Sequence, residues 1–179
     1  MKIRSIAAIA IIFGLLYFLA SIALAAQDRY QLKALNGVAF SEIRGYETWQ
    51  GVAPSYDNDH LKSIVANPIM INAYQQGIPG NGKPFPCGSK IVKISWTKRK
   101  VAVYPLATEP DTLSTIQLIV KDSKRFPETS GWGYARFLYD AASDTFKPYG
   151  SDSSFGKECY QCHMLVKDKD FIFTGYPRR

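Results

Sequence analysis

Cys159-Tyr160-Gln161-Cys162-His163 stands close to the carboxyl end of a 179-residue chain, and its reading decides how everything ahead of it is understood. Cys-x-x-Cys-His is the attachment pattern of c-type haem. Two thiols three residues apart each add to one vinyl group of a single porphyrin, forming two thioethers, and the next residue brings an imidazole under the iron. Cys159 and Cys162 are therefore expected to hold one covalent haem c, with His163 as the proximal iron ligand. A structural zinc site competes for the same residues, but it wants four ligands. The other candidates, Cys87 and His60, are distant and have no paired spacing. A thioredoxin-like redox pair wants a βαβ context, and the sequence shows none.

Working outward, the chain before the motif alternates short strands with a little helix. Glu47 to Ser55 reads as a strand entered through Tyr46 and ended by the polar run Asp57-Asn58-Asp59. Asn67-Pro68 predicts a helix start, with Asn67 as cap and Pro68 at the first helical position, where its missing amide is not needed. That helix runs to Gln76 and stops at Gly77. Proline and glycine crowd residues 77 to 88, which makes them a loop. In Ser89 to Trp96 the side chains alternate, with Val92, Ile94 and Trp96 on one face and Ile91, Lys93 and Ser95 on the other. Thr115 to Val120 and Trp132 to Tyr139 are β-branched or aromatic runs bounded by turn residues, hence two more strands. Asp140 to Pro148 reads as a turn and a return strand. The haem motif belongs on a short helix, and Phe171-Ile172-Phe173 closes the domain as a final apolar strand or as a segment covering the haem. The common helical cytochromes c carry their motif near the start of the mature chain. Here it follows a domain that reads mainly as antiparallel sheet, so the expected class is α+β with a C-terminal haem-binding helix.

The amino terminus agrees with a haem attached outside the cytoplasm. Lys2 and Arg4 form a short positive region, Ile6 to Ala20 is unbroken apolar sequence, and Ala23-Leu24-Ala25 offers a cleavage site. Ile6 to Ala26 is also long enough to remain as a membrane anchor. Residues 1–26 are thus read as a signal peptide or N-terminal anchor and residues 27–179 as one haem domain on the periplasmic side, free or tethered. About 150 residues suffice for one buried core. Without Lys2 and Arg4, 20 basic side chains face 15 acidic ones, lowering the net charge from +7 to +5. That excess is too mild and dispersed for a nucleic-acid footprint. The densest basic run, Lys98-Arg99-Lys100, reads as a solvated hairpin turn, or else as a docking patch for an acidic redox partner.

Three further residues carry two readings each, and a fourth carries one. Cys87 has no intramolecular partner once Cys159 and Cys162 are used, so it either sits as a small residue in a turn or links two chains as a homodimer. His60 is a distal iron ligand or, beside Asp57 and Asp59 at a helix start, a solvated residue. Met70, between Ile69 and Ile71, is a core residue or an axial ligand. Met164 directly follows the proximal histidine and cannot reach the opposite face.

Laid out this way, the chain resembles the cytochrome P-460 family, which includes the cytochromes c-prime-beta. The matching segments are Tyr46-Glu47-Thr48-Trp49 with Val52-Ala53, Asp57-Asn58 and Asn67-Pro68 leading into Ala73-Tyr74, Phe85-Pro86-Cys87-Gly88 before Ile91-Val92-Lys93, Trp132-Gly133-Tyr134-Ala135-Arg136-Phe137, Cys159 to His163, and Lys169-Asp170-Phe171-Ile172-Phe173-Thr174. Cys87 departs from the family's usual aspartate. The resemblance implies a mainly antiparallel sheet with flanking helices, one c-type haem, and a five-coordinate iron whose open face binds or oxidises small nitrogen compounds such as nitric oxide or hydroxylamine. It also implies a redox partner protein. Members in which a lysine is additionally bonded to the porphyrin oxidise hydroxylamine, and Lys93 matches that lysine. Lys90, on the other face of the same strand, takes its place if the register differs by one residue. Without the lysine bond the chain is a ligand-binding cytochrome and not an enzyme. With a second protein ligand on the iron it is a six-coordinate electron-transfer cytochrome.

Overall fold

The computed structural model describes residues 27–57 and 59–178. The expected signal or anchor, residues 1–26, lies outside them. Six antiparallel strands form one sheet in chain order: β1 (Gln50–Tyr56), β2 (His60–Ala66), β3 (Lys90–Val101), β4 (Tyr104–Lys121), β5 (Trp132–Asp140) and β6 (Thr145–Pro148). Helix α1 (Pro68–Gln75) links β2 to β3, and α2 (Phe155–His163) follows β6. Among the described residues no helix is long and apolar enough to cross a membrane. The mainly antiparallel α+β class with a C-terminal helix is thus as the sequence predicts.

Both faces of this sheet are apolar, because both are covered. On one face Val65, Val92, Leu118 and Phe137 pack with Val38, Phe40 and Ile43 of the short 3-10 turns near the amino terminus. On the other, Ile64, Ile91 and Tyr134 pack with Met70 and Tyr74 of α1, with Phe85 and with Ile172. In the covered part of the sheet, the alternation of odd and even positions along each strand sends buried side chains to one core or the other. Val92 and Ile94 lie on the first face and Ile91 on the second, as the alternation predicts.

Helix α1 forms where Asn67 and Pro68 predict it. The Asn67 Oδ1 accepts from the Met70 amide (3.2 Å), and the helix ends at Gln75 with Gln76 as cap, just before Gly77. Met70 is fully buried in the second core, which favours its reading as a core residue.

Four expectations are corrected. Tyr46–Thr48 is a 3-10 turn, so the first strand begins at Gln50 and not at Glu47. His60 opens strand β2 where a helix start was expected. The Asp57 Oδ1 accepts from the amides of Asp59 (3.1 Å) and His60 (2.9 Å), an Asx-type turn that uses the same side-chain acceptor as a helix cap and so looks alike in sequence. Lys98-Arg99-Lys100 does not form the hairpin turn. These residues lie in a two-stranded arm where Lys98 faces Pro110, Arg99 faces Glu109 and Lys100 faces Thr108, and a solvated ladder is as polar as a turn. Phe171-Ile172-Phe173 is not a strand, because Asp170 (φ 47°) and Phe171 (φ 64°) are left-handed and break the extended path. Its other reading, a segment folded over the site, matches its position.

Candidate haem site

The motif helix forms its site through spacing. Phe155, Cys159 and His163 recur every four residues, so they fall on one stripe of α2. That stripe lines an open-sided cleft between α2 and the sheet, the concave and largely apolar kind of place where small molecules and cofactors bind. Cys159 is half-buried in the cleft, and burial pushes its thiol up to about 11. Cys162 is one turn further along the helix and exposed.

The second wall is the sheet. Cross-strand register aligns Ile64, Lys93, Gln117 and Arg136 in one row and Ala66, Ile91, Ile119 and Tyr134 in the next. Lys93, Gln117, Arg136 and Tyr134 line the same cleft as Cys159 and His163, and Ile172 to Thr174 of the tail close it. Among the described residues Lys93 forms no ion pair. Burial first, then the neighbouring Lys62 and Arg136 charges, pull its ammonium down from the ordinary lysine range. Lys90, by contrast, donates through Nζ to the Glu42 carbonyl (2.6 Å), away from the cleft.

His163 is held on three sides. Its Nδ1 lies 2.5 Å from the Phe171 carbonyl. A carbonyl only accepts, so Nδ1 carries the hydrogen and donates it, which leaves Nε2 bare as a lone-pair donor. The rings of Tyr134 and Phe173 stand 4.9 Å from the imidazole, centroid to centroid. Burial lowers the tendency of His163 to take a second proton, which also favours a metal-ready imidazole.

These residues fit a haem group. Two thiols and a bare imidazole nitrogen sit on one helix beside a cleft with aromatic and aliphatic walls. The Tyr134 hydroxyl and Arg136 Nε are buried without a hydrogen-bond partner among the described residues. An unmet buried polar group costs about 1–3 kcal/mol, so both point to a polar edge of a ligand. The other candidates are placed elsewhere. His60 lies near Asp57 (3.5 Å) and Ser114 (3.4 Å) at the far end of β2, and the exposed Cys87 has its Sγ 3.4 Å from Ser123 Oγ. Met164 is exposed.

Gln117, Tyr134 and Arg136 escaped the sequence reading. Arg136 did leave a trace, as a cation inside an apolar strand between Ala135 and Phe137. That it shares a row with Lys93, two strands away, required the register. The model of the family described as Cytochrome P460 matches residues 43–174, most of the chain and nearly all of the described domain. No curated protein matches the chain.

Proposed function

The chain belongs to the cytochrome P460 family, and from that premise we propose that it is a periplasmic mono-haem c-type cytochrome whose iron keeps one axial position for small nitrogen compounds such as nitric oxide or hydroxylamine. The family is one of cytochromes, so haem iron is its cofactor. Haem, when bound, supplies the one-electron and small-ligand chemistry of its iron. Everything else is the work of this chain's residues. The Cys159 and Cys162 thiols would hold the group covalently, through two thioethers. His163 would hold the iron through its Nε2 lone pair, in a tautomer set by the Phe171 carbonyl. Tyr134, Phe155 and Phe173 line the cleft and would keep bulk water from the group, and Arg136 would offer a cation to its carboxylates.

The observation that carries the open-site reading is the placement of the competing ligands. Met70 is sealed in the core beneath α1, and neither His60 nor Met164 lines the cleft. This weakens the six-coordinate electron-transfer reading. Lys93 supports the enzymatic branch, because a buried amine whose proton is easily lost is the form in which lysine acts as a nucleophile. The periplasmic assignment, a membrane tether and an electron-accepting partner protein follow from the export-like amino terminus and the haem chemistry. Cys87 is exposed, which leaves its thiol available for a link to a second copy.

The test is spectroscopic. Protein made with haem-maturation machinery should retain one haem through acid extraction and denaturing mass spectrometry. Its ferrous form should be five-coordinate and take up nitric oxide. A lysine–porphyrin bond would appear as a strongly red-shifted ferrous Soret band and hydroxylamine oxidation, both abolished by Lys93→Ala and both kept by Lys90→Met. A six-coordinate low-spin spectrum in both oxidation states, unresponsive to nitric oxide, would replace this reading with an electron carrier.

A further inference from the structure

Two consecutive non-glycine residues, Asp170 and Phe171, adopt left-handed backbone conformations just before the chain folds over the cleft. A left-handed conformation costs about 1–2 kcal/mol for an L-residue; aspartate is the milder case because its short polar side chain can bond locally, whereas the phenylalanine side chain has no polar group to do so. Such a conformation persists only where its surroundings over-determine it, and those sites are often functional.

The surroundings are specific. Asp170 forms a buried ion pair with Lys121 at the end of β4, the side chains being 10% and 6% exposed. The Lys121 Nζ donates to both carboxylate oxygens (2.9 and 3.1 Å) and to the Ser130 carbonyl (3.0 Å). The Asp170 Oδ2 also accepts from the Phe85 amide (2.8 Å). A single carboxylate thus ties the sheet, the loop before β3 and the tail together. The Trp132 ring lies 4.5 Å from the Lys121 Nζ and covers it. On the far side of the strained pair, the Phe171 amide bonds to the Val166 carbonyl (3.1 Å), and the Phe171 carbonyl is the acceptor for His163 Nδ1.

We propose that Asp170 and Lys121 are positioning residues for His163: their buried ion pair holds the Asp170–Phe171 bend, and the bend holds the Phe171 carbonyl against the imidazole, setting its tautomer and ring orientation. The inference rests on His163 being the iron ligand. A carbonyl that accepts from the outer nitrogen of a metal-bound histidine fixes the ring and raises its basicity. Here the carbonyl belongs to a residue that would not keep its backbone angles unaided. The chain therefore places the stiffening charge one residue before the carbonyl, anchored to β4. An ion pair that merely stabilises the end of the domain would leave the histidine indifferent to its removal.

The experiment compares haem-loaded proteins by resonance Raman spectroscopy of the ferrous iron–histidine stretch. Removing one partner of a buried pair leaves an uncompensated charge, whereas removing both is commonly tolerated. The informative variant is therefore the double substitution Lys121→Met with Asp170→Asn. Its stretch should fall in frequency and broaden, because the imidazole loses its fixed acceptor, while thioether-bound haem content stays at the wild-type level. Lys121→Arg, which keeps the charge, should keep the wild-type band. Asp170→Asn alone, which preserves shape and the bond from the Phe85 amide, should shift in the same direction and serves if the double variant does not load haem. A wild-type band in the double variant, or in Asp170→Asn where that one is used, overturns the inference, whatever happens to their unfolding midpoints. Absence of any iron–histidine band from haem-loaded wild type means instead that His163 is not the ligand, and the inference falls with that reading.

Discussion

Replacing Gly131 with alanine tests how tightly the turn before β5 is built, because two independent costs meet at that residue. Its φ of +84° is left-handed, which costs about 1–2 kcal/mol for a residue with a Cβ. The new Cβ would also stand 2.8 Å from Ser123 Oγ, 3.2 Å from Ser123 Cα and 3.4 Å from Lys121 Cε. Overpacking of that kind costs about 1–3 kcal/mol. The turn has no easy way to yield, since the Gly131 amide donates to the Phe126 carbonyl (2.8 Å) and its carbonyl accepts from the Asp122 amide (2.7 Å). The two costs together predict a loss of about 2–5 kcal/mol, or a fall in melting temperature of about 4–20 °C at ~2–4 °C per kcal/mol for a domain this size. Gly45→Ala is the control, with φ +82° and no atom within 4 Å of the new Cβ. It should lose only the conformational ~1–2 kcal/mol. Denaturant midpoints of the two haem-loaded variants, measured at unchanged m-value, separate the contributions. If Gly131→Ala is no less stable than Gly45→Ala, the steric part of the argument is wrong. If both match wild type, the conformational part is wrong as well.

Asn67→Ala should destabilise by about 2–4 kcal/mol. The side chain caps α1 through the Met70 amide (3.2 Å), accepts from the Lys90 amide (3.0 Å) and donates to the Gly88 carbonyl (2.8 Å), so a cap worth ~0.5–2 kcal/mol is lost and further buried partners are left unmet at ~1–3 kcal/mol. Asn67→Asp keeps both acceptor contacts but sets an oxygen against the Gly88 carbonyl in place of the amide donor, so it should recover only part of that loss in the same denaturation assay. Glu42 governs an acid-sensitive contribution: burial acts to raise its pKa but is outweighed by the Arg125 guanidinium (2.9 and 3.0 Å) and the Ala39 amide, so the folded value lies below the ordinary 4.5. The unfolded chain then binds more protons in the acid window, so this contribution is complete above the ordinary value and fades as pH falls through the folded one. Glu42→Gln should flatten the stability profile below about pH 4.5 relative to wild type, and an identical acid slope in both proteins would refute the assignment.

Local chemistry made much of this protein legible in the sequence. The roles proposed for Cys159, Cys162 and His163 are readable because thioether attachment and ligation through the next residue require a spacing that needs no tertiary information. Helix α1 is readable because Asn67 and Pro68 satisfy its first amides by themselves, and β5 because Trp132 to Tyr139 is apolar between turn residues. The alternation along β3 also distinguishes Lys93 from Lys90 by face, since the pleat has a period of two. The sequence did not reveal which face would hold the site. That depended on α2 and the tail covering one side of the sheet while the amino-terminal turns covered the other, and both sides are equally apolar. His60 and the basic arm were misread because an Asx turn and a helix cap use the same side-chain acceptor, and because a solvated ladder is as polar as a turn. The row of Lys93, Gln117 and Arg136 arises from the pairings of Lys93 with Gln117 and of Gln117 with Arg136, across three strands, and the hold of Asp170 on His163 passes through Lys121, 49 positions away. Contacts of that range depend on register and on which charges are buried together, and only the folded chain decides either.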